Sequence, residues 1–230
     1  MIAAAAICPC PPLLAAELTG QADILPELRA ACAAAVARLL AAAPDVVAVV
    51  GPGERTGPWP PQGRLGFAAY APALAGDPAA RPALPLALGI GALLLDEAGY
   101  TGPRALHGIA ASAPPQECLA LGGQVAASAP RVALLAVGDG TARRSASAPG
   151  YLDERAAPFD AAVERAVRDG DLPALAGLDP QLAADLLAVG RPAWQALAGA
   201  LPASPAKTDI LYSDAPFGVA YLVATLLPEP

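Results

Sequence analysis

The chain has 230 residues, a formal charge of −7, 55% hydrophobic residues and 15% charged ones. Such a length supports one domain with a full core, and the apolar share excludes a disordered or polar chain. The acidic balance, with Lys207 the only lysine among 14 basic residues, excludes the basic patch of a nucleic-acid binder.

In chain order, Ile2–Cys8 reads as a buried first strand that stops at the turn holding Pro9, Pro11 and Pro12. The first basic residue is Arg29, so the positive stretch that opens a secretory leader is missing and a cytoplasmic protein is expected. Gln21–Ala43 predicts a long helix, because Leu25, Leu28, Cys32, Val36 and Leu39 recur at three- and four-residue steps. Val46–Val50 is a continuous apolar strand, as when both faces are covered. Gly51–Gly66 is a Gly- and Pro-rich loop containing Trp59, and Ala71–Pro85 is loop-like. Pro82–Ala98 predicts a helix despite Gly89 and Gly91. The apolar run Leu84–Leu95 is shorter than the roughly 20 residues that a membrane span needs. Ala105–Ala110 is a short strand, Pro114–Ala129 a helix, and Val132–Val137 the clearest strand. An amphipathic helix covers Pro158–Arg168, and short helices fill Leu172–Leu201. Lys207–Tyr212 and Val219–Leu227 are closing strands around a turn at Asp214.

Strands alternating with helices predict an α/β fold, a single domain over 1–230 with a mostly parallel or mixed central sheet flanked by helices. The four cysteines, Cys8, Cys10, Cys32 and Cys118, match no zinc spacing or disulfide scaffold, so reduced thiols are expected. Cys8 and Cys10 would share a face if both lay on one strand.

Ligands of open α/β sheets sit beyond the carboxyl ends of the strands. Three loops meet that rule: Pro9–Pro12, Gly51–Arg55 and Gly138–Arg144. They carry Cys10, Gly53, Glu54, Arg55, Asp139, Thr141, Arg143 and Arg144, and the turn with Asp214 joins them as a fourth candidate. Gly138-Asp139-Gly140-Thr141 reads either as a nest of backbone N–H groups for an anion, helped by Arg143 and Arg144, or as a tight turn with a solvated Arg pair. No phosphate-binding GxxxxGK[ST] motif is present. Asp139 and Asp214 are cleft carboxylates or turn caps. His107 reads as a core residue, Asp153-Glu154-Arg155 as a helix-start cluster, and Trp194 as a packing anchor. Trp59 is a packing anchor, or lines the cleft or a partner surface.

The ordered segments Cys8-Pro9-Cys10-Pro11-Pro12, Asp45–Gly53, Leu121-Gly122, Val132–Ala142 and Pro216–Tyr221 together resemble the class III extradiol ring-cleaving dioxygenases, the LigB-like superfamily that includes Memo-like proteins. The resemblance spans most of the chain. It implies the fold of the extradiol dioxygenase catalytic subunit, oxidoreductase chemistry on a catechol, and a non-haem ferrous ion held by two histidines and a glutamate. Family members often assemble into oligomers, which makes a second copy an expected partner.

The departures are specific. Where the family has its first ligand histidine, this chain has Cys10. Where it has the second, it has Gly53, with Glu54 beside it. Where it has the acid/base histidine, it has Ala142. Asp214 is the nearest late carboxylate to the ligand glutamate, and the central Asp-His-Gly segment is missing between Tyr100 and Ala105. With His107 the only histidine, a two-histidine iron site cannot form. Two readings follow. One is a pseudoenzyme, a non-catalytic binding or assembly protein without a cofactor, taking a small-molecule or anionic ligand. The other is a cleft enzyme using Cys10, Asp139 and Arg143, including a variant with iron or zinc bound through Cys10. In the second, Cys10 is a thiolate activated by Arg143 or Arg144; in the first, it fills a former histidine position.

Overall fold

The computed structural model describes residues 1–20, 22, 24–66, 82–202 and 206–228. Strand β1 (Ile2–Cys8) leads through a single 3₁₀ turn and the short α1 (Ala16–Thr19) into α2 (Pro26–Ala41). β2 (Val46–Gly53), β3 (Gly57–Trp59), β4 (Arg64–Leu65) and β5 (Ala83–Leu84) follow, then α3 (Leu86–Glu97), β6 (Arg104–Ala110), α4 (Pro115–Ala126) and β7 (Val132–Val137). The C-terminal part holds α5 (Ala156–Arg168), α6 (Leu172–Ala176), α7 (Pro180–Asp185), α8 (Arg191–Ala200), β8 (Ala206–Asp214) and β9 (Tyr221–Pro228).

Seven strands form one mixed sheet in the order β3-β6-β2-β7-β1-β9-β8. The inner four, β6, β2, β7 and β1, run parallel. β3 and β9 join antiparallel at either side, and β8 closes the far edge antiparallel to β9. The predicted α/β architecture with a mixed, helix-flanked sheet is the one observed.

Apolar alternation assigns the two faces. Val132, Leu134 and Ala136 of β7 enter one core with Cys118, Val163 and Trp194 of α4, α5 and α8. Ala133, Leu135 and Val137 enter the other with Leu28 and Cys32 of α2 and Leu88 of α3. Every residue of β7 is buried, which explains its unbroken apolar run. Among the described residues no helix is long and apolar enough to cross a membrane.

Several boundaries differ from expectation. The helix predicted from Gln21 starts at Pro26, where a missing N–H costs nothing in the first turn; Gln21 itself lies outside the described residues. The Gly51–Gly66 segment is not all loop. β2 continues through Gly53, and Gly57–Trp59 pairs with Leu106–Gly108 of β6. Pro58 is tolerated because β3 is an edge strand. Residues 67–81, most of the segment read as loop-like, lie outside the described residues.

α4 and α8 cross with their backbones almost touching. A Cβ on Gly122 would lie 1.9 Å from the Ala196 carbonyl oxygen, and one on Gly199 would lie 2.3 Å from that of Leu119. Both helices would have to separate to admit a methyl group. Gly122→Ala or Gly199→Ala should therefore lower stability by at least the roughly 1–3 kcal/mol typical of overpacking, read as a lower urea midpoint with an unchanged slope.

Candidate functional site

β1 and β7 are parallel neighbours with Cys8 opposite Val137, so the loops after them start side by side. The Gly138 N–H donates to the Cys8 carbonyl at 3.0 Å. Two residues further along one loop, the Cys10 N–H donates to Asp139 Oδ1 at 2.6 Å. The end of β2 brings Pro52, Gly53 and Glu54, and the start of α3 brings Pro85, Leu86 and Ala87. With Val189 these residues border an open hollow of about 480 Å³ at the carboxyl edge of the sheet. Cys10, Gly53, Glu54 and Asp139 thus meet, as the edge rule anticipates.

The electrostatics of the pair are set by burial. Desolvation raises the Asp139 carboxyl to about 6, against the partial relief of the Cys10 N–H. Burial, followed by the neighbouring Asp139 charge, pushes the Cys10 thiol well above its usual range. The thiol is therefore protonated at neutral pH, and the thiolate role does not fit this environment. The phenol of Tyr221 is raised too, by burial first and Asp139 next.

The arginines expected beside Cys10 turn elsewhere. Arg143 Nη1 donates to the Gly150 carbonyl at 2.6 Å, and Arg144 pairs with Asp160 at 3.1 Å. Neither lines the edge hollow. The anion nest is also spoken for. The N–H groups of Gly140, Ala142 and Arg144 donate to the carbonyls of Ala220, Leu186 and Gly218. The Thr141 N–H and hydroxyl both donate to Asp160, at 3.0 and 2.6 Å. Asp160 itself fills the anion position, so Gly138–Arg144 is an internally bonded turn. Asp214 stands apart, accepting from the Ala215 N–H at 2.7 Å. It borders a second hollow of about 240 Å³ with Asp160, Glu164, Trp194, Ser213 and Tyr221.

The other candidates take structural places. Cys8 faces Cys32 of α2, and Cys8 and Cys10 both belong to the core layer on that side of the sheet. All four cysteines are free and buried. Trp59 lies under the Arg55 guanidinium, 4.7 Å from its ring centre, and does not line the edge hollow. Asp153 accepts from both the backbone and the guanidinium of Arg155 just before α5, as a helix-start cluster should. Sequence reasoning missed Asp160, Val189 and Tyr221. Asp160 lies on α5, and nothing local marks it as the acceptor for a loop that begins 22 residues earlier.

The implied ferrous site can be tested on the donors present. His107 lies on β6, paired with Val50 and Pro58 in the sheet, and is not in the wall of the edge hollow. Burial lowers its pKa, and its Nδ1 is buried without a partner. The hollow offers Asp139, a rim glutamate and a protonated thiol, without an imidazole. These do not fit a two-histidine-one-carboxylate centre. Among the described residues no three His, Cys, Asp or Glu side chains are placed to hold a metal ion.

No family model matches the chain, and no curated protein matches its sequence. Its fold is similar to the crystal structure of the uncharacterized protein JW3007 from Escherichia coli K12. The TM-score is 0.61 at 16% identity, with 98% of this chain and 99% of the other covered. That likeness establishes the shared architecture over the whole length.

Two outcomes are expected. Because the Asp139 carboxyl is raised from 3.8 to about 6 on folding, the folded state binds its proton more tightly than the unfolded state. The corresponding stability is present below pH 4 and lost as pH rises through about 6. Urea melts of wild type and Asp139→Asn should therefore diverge between pH 4 and 6, the wild type losing ground, and run level above pH 7. Asp160→Ala orphans the N–H and hydroxyl of fully buried Thr141. It should cost at least about 2 kcal/mol and open the Gly138–Gly150 segment to limited proteolysis.

Proposed function

We propose that this chain is a divergent relative of the class III extradiol dioxygenases that has given up ring cleavage and acts as a non-catalytic binding or assembly protein. One observation carries the reading. At the loop tips where the resemblance calls for imidazoles, the chain presents Cys10, Gly53 and Ala142, and the Cys10 thiol is held neutral against Asp139. A glycine offers no ligand atom and an alanine moves no proton. The hollow remains, walled by Pro52, Pro85, Leu86, Ala87 and Val189 with Asp139 and Glu54 as its polar points. Apolar walls with a few convergent polar groups suit retention of a small organic molecule. A cytoplasmic location and a homo-oligomeric state belong to the same proposal.

A second reading has its own support. A carboxyl raised to about 6 in a concave hollow is suited to proton transfer near neutrality. In that case Asp139 is the acid/base of a metal-free reaction, with Cys10 positioning it through its N–H.

Elemental analysis decides the main point. Protein purified anaerobically without chelator, then incubated with ferrous or zinc salts and desalted, should carry far less than one metal per chain and leave catechols unchanged. Near-stoichiometric metal that disappears in Cys10→Ser, or oxygen-dependent catechol cleavage, would overturn the proposal.

A further inference from the structure

Arg191 opens α8 and is only 2% exposed. A guanidinium keeps its charge inside a protein, so its burial requires acceptors and favours a counter-ion. The chain supplies acceptors alone. Nη1 donates to the Ala113 carbonyl and to Gln195 Oε1, both at 2.8 Å, and Nη2 donates to the Ala111 carbonyl at 2.6 Å. Gln195 is itself fully buried and fixed by donating to the Ala176 and Leu178 carbonyls, both at 3.0 Å. Among the described residues no carboxylate pairs with Arg191. The cage satisfies geometry and leaves a positive charge uncompensated.

The guanidinium is not sealed. Its Nε has no acceptor among the described residues and is absent from the fully enclosed unpartnered atoms, which are those of Trp59, His107, Arg143 and Trp194. Arg191 borders a hollow of about 230 Å³ whose other walls are alanines, prolines, Leu187 and Val189. No acidic side chain lines it. The N-terminal dipole of α8 adds to the positive potential there. Val189 also borders the edge hollow.

We propose that this hollow binds a small apolar carboxylic acid as its anion, the carboxylate on Arg191 and the body against Leu187, Val189 and Pro192. Arg is suited to planar, two-oxygen recognition. The apolar walls select an acid with a hydrocarbon or aromatic body over a free phosphate, which would need further donors. The volume is below the roughly 300 Å³ at which drug-sized sites begin, so the ligand is small. This site does not depend on what the edge hollow does.

Calorimetric titration of the full chain tests it, with benzoate as the probe and benzamide as its neutral counterpart. Benzoate is expected to bind saturably and at least tenfold more tightly than benzamide. Ala184 is exposed, lines the hollow and takes no part in the hydrogen bonds of the Arg191 cage. Ala184→Phe should fill the space, keep the wild-type melting curve and weaken benzoate at least tenfold. Absence of benzoate binding, equal affinity for benzamide, or undiminished binding in a folded Ala184→Phe protein would each overturn the proposal.

Discussion

Burial of both faces of β7 is the constraint from which the carboxyl edge follows. All six of its residues are enclosed, and both sides are hydrogen-bonded, to β1 and to β2. A one-residue slip would exchange its two sets of core residues between layers, so the register with β1 is fixed by packing. That register sets Val137 beside Cys8 and carries the two following loops out together. The contact between Cys10 and Asp139 is a consequence of core packing expressed at the edge of the sheet.

The same edge treats two aspartates in opposite ways. Asp160 collects the Thr141 N–H and hydroxyl and the Arg144 guanidinium. Asp139, half-buried in the Gly138–Arg144 turn, receives the Cys10 N–H, and desolvation dominates its titration. The donors of the Gly138–Arg144 turn go to Asp160 and to backbone carbonyls, so little is left for Asp139. Desolvation with one donor raises the Asp139 carboxyl to about 6.

The sheet was legible because its inner strands are apolar runs of strand length bounded by Gly, Pro and Asp: Val46–Val50 and Val132–Val137 read directly. β3 was not legible, since a Gly-Pro-Trp triplet has no alternation and becomes a strand only by pairing with β6. The edge rule correctly gathered Cys10, Gly53, Glu54 and Asp139. It could not say where long side chains point. Arg143 and Arg144 follow Asp139 closely in sequence, yet one turns to the Gly150 carbonyl and the other to Asp160. Arg191 and Gln195 lie within the Leu172–Leu201 stretch of short helices, where nothing in the sequence singles them out. Their spacing of four puts them on one face, but only the fold reveals that this face is covered.

Composition explains why backbone carbonyls do so much of the polar work. In a chain this rich in alanine, small side chains let main chains approach closely, as α4 and α8 do at Gly122 and Gly199. Few carboxylates lie inside such packing, and arginine heads settle on carbonyl oxygens. Arg29 donates to Leu13 and Leu14, Arg131 to Ala42 and Ala43, Arg143 to Gly150, and Arg191 to Ala111 and Ala113. A carbonyl dipole satisfies a hydrogen bond and falls short of cancelling a charge. On the surface water makes up the difference, and salt screens what remains. At Arg191 neither reaches freely, and an anion entering the adjoining hollow would supply the missing counter-charge where it has the greatest effect.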